Sequence, residues 1–213
     1  MPIGGDSIEY LQSGWLVKHA ALHSRRAPGN TCLSALRHNR SDRGMAANSS
    51  KGCGGVMRVA PVGLFCWPFE NERSTFELGM EAAAITHGHP SGYLTGGVLA
   101  VMIRYLMDDD SLLDALAKAI LVQHEGHEET LQALNLAEQL AKYRIEPVRA
   151  VEQLGQGWVA EEALAIAVFC ALVATDFRHG VCLAVNHDGD SDSAGAITGN
   201  LLGAMWGEGI DPR

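Results

Sequence analysis

Apolar positions recur along most of this chain at helical rather than strand spacing. From Met57 onward the pattern predicts helices over 74–86, 92–107, 111–124, 128–142, 147–154, 160–175, 178–186 and 192–206. In one of them Glu161 and Glu162 stand first, where acids suit the positive end of a helix. The remainder, "ALAIAVFCALVA", is apolar on every side, which predicts a central buried helix. Gly96 and Gly97 sit inside another apolar segment and predict close helix packing. The first fifty residues are mixed. "SIEYLQSGWLVKHAALH" reads as one amphipathic helix, "SRRAPGN" breaks it, and "TCLSALRHN" reads as a short helix capped by Thr31. "RSDRGMAANSSKGCGG" is a long polar, glycine-rich loop. No β-alternation, repeat or linker interrupts the pattern, so the expected class is all-α with one domain over 1–213.

Composition agrees with that class. The chain has 213 residues, 47% hydrophobic and 19% charged, enough for a sizeable core. Its formal net charge of −9 argues against general nucleic-acid binding and leaves a small anionic ligand open. Cys32, Cys53, Cys66, Cys170 and Cys182 are odd in number and form no CxxC, which fits reduced thiols and a cytoplasmic location. The start "MPIGGDSIEY" shows no signal-peptide pattern. The longest apolar stretches, near 93–107 and 163–174, fall short of the ~20 residues of a membrane span, so no membrane partner is expected.

Three stretches carry candidate chemistry. In "NHDGDSDSAGAITGNLLGAMWG", Asp188, Asp190 and Asp192 alternate just before a helix. One reading has Asp192 or Ser193 capping the helix and the other acids solvated. The other has a hard cation held by oxygen ligands, since Asp190 and Asp192 can converge from an extended segment. An EF-hand fails, because Ser193 and Gly199 fall where that loop needs Gly and Glu. In "NSSKGCGGVMRVAPVGLF", Gly52, Gly54 and Gly55 allow positive φ and close approach, successive amides can form an anion-binding nest, and Lys51 and Arg58 add positive charge. It is not a Walker loop, because Lys51 precedes the glycines; the alternative is a tight turn ending at Pro61. In "ITHGHPSGYLTGG", His87 and His89 either bind zinc or mark a helix start, with a neutral His87 donating to a ligand as the functional reading.

These motifs, together with "GWVAEEALAIAVFCALVA" and in this order, closely resemble the ADP-ribosylglycohydrolase family, which includes the dinitrogenase reductase-activating glycohydrolases. The resemblance implies a compact all-α helical bundle with a two-metal site, usually magnesium or manganese. It implies removal of ADP-ribose from modified protein side chains or related conjugates. The family's Asp-x-Asp-Ser/Thr metal motif falls on Asp190, Asp192 and Ser193, with Asp188 outside the ligand set. Its substrate loop falls on Asn48, Ser49, Ser50, Lys51, Gly52, Cys53 and Gly54, supported by Met57 and Arg58. Its substrate-contacting histidine falls on His87, and Trp158 matches a position beside the nucleotide.

The family's N-terminal glycine–aspartate helix motif and Thr-Asp-Asp motif are missing; Asp6 and Glu9 match neither. Those motifs supply the other metal ligands and the acid that orients water. The expectation is therefore a truncated chain, the C-terminal two-thirds of such an enzyme without its first helices, with no catalytic acid assigned and little turnover alone. The alternatives are a non-catalytic ADP-ribose-binding remnant or a crystallin-like structural protein. The expected partner is an ADP-ribosylated protein or ADP-ribose conjugate, and oligomer formation is left open.

Overall fold

The computed structural model describes residues 29–37, 44–122 and 127–210. Among the described residues ten α-helices and two short 3-10 turns, Val56–Arg58 and Gly207–Gly209, form the structure, with no named strand. The helices are α1 (Asn30–Arg37), α2 (Ala60–Cys66), α3 (Glu72–Ala84), α4 (Pro90–Leu106), α5 (Leu112–Leu121), α6 (Glu128–Lys142), α7 (Pro147–Leu154), α8 (Ala160–Val173), α9 (Phe177–Val185) and α10 (Ser191–Trp206). The fold is all-α, as the periodicity predicts.

The core is built around α8. Its residues from Ala163 to Cys170 are 0% exposed, because α4, α6, α7, α9 and α10 all pack against it. Alternating alanines on this helix let its neighbours approach on several sides. The second tight contact joins α3 and α4. A Cβ added at Gly79 would stand 2.7 Å from Ala100 Cβ, and one added at Gly96 would stand 2.8 Å from the Gly79 carbonyl. A Cβ at Gly97 would press on the Phe76 ring at 2.8 Å. Glycine is thus required by packing, as the Gly96–Gly97 pair suggests.

Capping residues set most helix starts. Asn71 accepts from the Ser74 amide at 2.8 Å, so α3 begins at Glu72, two residues before the predicted start. Ser111, Glu146 and Asp176 cap α5, α7 and α9 in the same way. Two expectations are corrected here. Thr31 lies inside α1, which starts at Asn30. Pro61 does not end a turn; it occupies the first turn of α2, where its missing N–H costs nothing and its fixed φ suits a helix. The amphipathic segment 7–23 lies outside the described residues.

Candidate functional site

The glycine loop is tied to the helices around it before any ligand is considered. The Lys51 carbonyl accepts from the Ala160 amide at 2.8 Å, and the Cys53 amide donates to the Trp158 carbonyl at 3.2 Å. Together they make an antiparallel bridge between Gly52 and Val159 at the start of α8. The Asn48 side chain donates to the Thr86 carbonyl and accepts from the amides of Ser50 and Gly88, each at 3.0 Å. Ser50 Oγ accepts from the Gly52 amide at 3.2 Å, and the Ser50 carbonyl accepts from His89 at 3.3 Å. Asn48 and Ser50 therefore pin the loop to 86–89, whereas Ser49 is exposed.

His87 lies beneath this loop and is 2% exposed. A Cβ at Gly52 would stand 3.1 Å from its Nε2, and Cβ atoms at Gly54 and Gly55 would stand 3.3 and 3.2 Å from its ring. None of these glycines has a positive φ, which occurs instead at Gly44, Gly155, Gly157 and Gly207. The loop's glycines allow close packing, at Gly52 and Gly54 against the imidazole and at Gly55 also against the Gly92 carbonyl, 2.9 Å from an added Cβ, and none turns the chain left-handed.

Arg58 stands close to that ring and is linked to it through Thr86. Its guanidinium donates to the Ala82 carbonyl at 2.8 Å, to Ala83 at 3.2 Å and to Thr86 Oγ1 at 2.7 Å, so it caps the end of α3. The Thr86 hydroxyl, which accepts from Arg58, also shares a hydrogen bond with His87 Nδ1 at 2.8 Å. Burial, aided by the Arg58 charge, lowers the His87 pKa to about 4. That shift favours the neutral form of His87. His89 is the helix-start residue: its Nδ1 accepts from the Ser91 amide at 3.2 Å, capping α4.

The loop meets the acidic motif at Cys53. Its thiol donates to Asp190 Oδ2 at 2.7 Å and lies 3.3 Å from Ser193 Oγ, which in turn donates to Met57 Sδ at 3.5 Å. Asp190, not Asp192 or Ser193, caps α10, with Oδ1 accepting from the Ser193 amide at 3.4 Å. The Asp190 amide donates to the Gln156 carbonyl at 2.7 Å, and a Cβ at Gly189 would stand 1.9 Å from that carbonyl, so only glycine fits there. Burial pushes the Asp190 carboxyl up, but hydrogen bonds from Asp192, Cys53 and Ser193 outweigh it and hold Asp190 below its ordinary value. Asp192 is pushed up by its interaction with Asp190 and by burial. The Cys53 thiol is raised to about 12 by burial and by its bond to Asp190. Trp158 stands at the rim, 58% exposed, next to Gly157, whose added Cβ would lie 3.4 Å from the Asp190 carbonyl.

A family profile for ADP-ribosylglycohydrolase matches residues 4–213. The chain belongs to the ADP-ribosylglycohydrolase family. It is also similar to an uncharacterized protein of Archaeoglobus fulgidus, 28% identical over 175 residues. That match covers 76% of this chain and 54% of the relative, so the chain spans about half the length of the curated relative it matches. Among the described residues no helix is long and apolar enough to cross a membrane.

Two features of this ADP-ribosylglycohydrolase site bear on metal. Asp190, Asp192 and Ser193 are hard oxygen donors of the type that suits magnesium or manganese. Among the described residues, however, no three His, Cys, Asp or Glu side chains gather in a metal-binding group. The described residues thus supply oxygen donors of a suitable kind but no complete metal-binding group.

Sequence reasoning missed the acids that hold the loop. Lys51 Nζ pairs with Glu129 Oε2 at 2.8 Å and with Glu161 Oε1, and Glu129 also accepts from Ser91 Oγ. Burial lowers the Lys51 ammonium, but the two carboxylates more than offset this and raise it. Glu162 accepts from the amides of Gln156 and Gly157 at 3.0 and 3.1 Å, bracing the turn beside Asp190. The one signal in the sequence was the Glu161–Glu162 pair at a helix start, which reads equally well as a dipole effect.

Proposed function

We propose that this chain carries the ligand-binding and one metal-binding half of a metal-dependent hydrolase that releases ADP-ribose from modified protein side chains or related conjugates. The observation that carries the reading is the meeting of two distant motifs. The glycine loop and the Asp-x-Asp-Ser motif touch through Cys53, Asp190 and Ser193 across 137 positions of sequence. Asp190, Asp192 and Ser193 are the proposed ligands of magnesium or manganese, which when bound would polarise the ribosyl linkage and activate a water. The loop from Asn48 to Gly54 presents the ligand surface, His87 holds it from beneath as a neutral ring, and the exposed Trp158 offers a face for the nucleotide. Magnesium takes about six oxygens, so the remaining donors are assigned to water or to groups outside the described residues.

A second reading, binding of ADP-ribose without turnover, is favoured by one observation: Asp190 spends Oδ2 on Cys53 and Oδ1 on Ser193. Manganese titration of the chain, paired with an assay for ADP-ribose release from an ADP-ribosylated protein, separates the two. Metal-dependent release that Asp192→Asn abolishes supports the hydrolase. ADP-ribose binding with no release at saturating metal supports the binding module.

A further inference from the structure

Lys51 stands within the glycine loop, yet its ammonium is bound to acids on two other elements. It pairs with Glu129 in the first turn of α6 and with Glu161 in the first turn of α8. Glu161 is 8% exposed along its side chain, and its second oxygen is buried with no hydrogen-bond partner. Lys51 is therefore the cation that makes this buried carboxylate tolerable. The same residue attaches to α8 a second time, through its carbonyl and the Ala160 amide. Glu129 extends the network to Ser91 in the first turn of α4, the helix that follows His87. A cavity of about 270 Å³ opens on this network, lined by Lys51, Glu129, Glu161 and Glu162 among others. Those four carry one positive charge and three negative, the wrong balance for receiving a phosphate.

We infer that Lys51 is a positioning residue that latches the glycine loop to α6 and α8, and that it does not contact the ligand's phosphates. The inference rests on the reading of the Asn48–Gly54 loop as an ADP-ribose surface. Its consequence has a definite sign. Were Lys51 a phosphate ligand, removing the Glu161 charge would free the ammonium and strengthen binding. As a latch, Lys51 loses its anchor when Glu161 is neutralised, and binding weakens.

The test uses the full chain with ADP-ribose in manganese buffer, followed by calorimetry at several salt concentrations. Lys51→Met and Glu161→Gln should each weaken binding roughly tenfold, and the double variant should be no weaker than either alone, because one interaction is removed once. Lys51→Arg should retain most of the affinity, and the salt slope should match the wild type. Tighter binding by Glu161→Gln, or a smaller salt slope in Lys51→Met, would overturn the inference. A second readout needs no ligand. Cys53 and Cys170 are both buried, but only Cys53 lies in the loop. Alkylation mapped by mass spectrometry should accelerate at Cys53 and not at Cys170 in Lys51→Met and Glu161→Gln. Unchanged protection of Cys53 sinks the latch; absence of ADP-ribose binding by the wild type sinks the functional reading instead.

Discussion

Glu161 and Asp190 are carboxylates with nearly the same burial, 7% and 8% exposed, and both stand at the start of an apolar helix. They are neutralised in opposite ways. Glu161 has a resident ammonium, Lys51. Asp190 has no cation partner among the described residues; it takes a thiol, a backbone amide and a hydrogen bond with Asp192. The first is a resident ion pair, although one Glu161 oxygen is left without a hydrogen-bond partner. The second is balanced only by neutral donors, and a cation from solvent would do that work better. The difference separates a carboxylate already paired with a cation in the fold from the one proposed above as a metal ligand, although the two are almost equally buried.

His87 shows a third way to bury a titratable group, which is to leave it uncharged, and it carries the largest expected effect. The unfolded chain takes up the proton near 6.5, whereas the folded chain takes it up only at about 4. Between those values the unfolded state binds more protons, so stability rises with pH and is lost as pH falls from 6.5 towards 4. The loss attributable to this group approaches about 3 kcal/mol. Urea denaturation of the wild type and of His87→Gln across that range checks it. The difference between the two should shrink with falling pH, and a parallel pair of curves would mean that His87 is not held neutral by the fold.

The next effect concerns Asp190 itself. Asparagine caps a helix about as well as aspartate, so Asp190→Asn should leave helical circular dichroism and melting nearly unchanged. Its manganese affinity should fall about tenfold or more, because a charged ligand is lost. If the affinity holds, Asp190 belongs with Glu161 as a structural acid and the contrast collapses. The smallest effect is at Cys53. Cys53→Ala removes a donor that competes with a cation for Asp190 Oδ2. Manganese should then bind a few-fold more tightly, while the metal-free protein loses on the order of 1 kcal/mol. Weaker metal binding in Cys53→Ala would show that the thiol orients Asp190 instead of competing for it.

These contrasts also mark what could be read from the sequence. The apolar run 163–174 announces a helix buried on all sides, because no polar face interrupts its period, and α8 is that helix. The Asp-x-Asp-Ser pattern announces a helix start, and α10 begins there. The cap moved to Asp190 because the chain crosses Gln156 at Gly189, a contact between segments that no local pattern encodes. Lys51 and Glu161 are far apart in sequence, so each looks like an ordinary surface charge until the loop is laid against α8. The glycines at 52, 54 and 55 are legible as special, but their reason is close packing against the His87 ring and the Gly92 carbonyl rather than a left-handed turn, and sequence does not distinguish the two.

A segment fastened at one point can swivel; fastened at two, it cannot. Lys51 is fastened to α8 by its carbonyl and again by its ammonium. The glycine loop therefore lacks a rotation about that residue. Either both fastenings break together, or the first turn of α8 moves with the loop, and α8 is the axle on which the other helices are mounted. Among the described residues the loop is thus part of the frame, whereas Trp158 beside it stands in solvent.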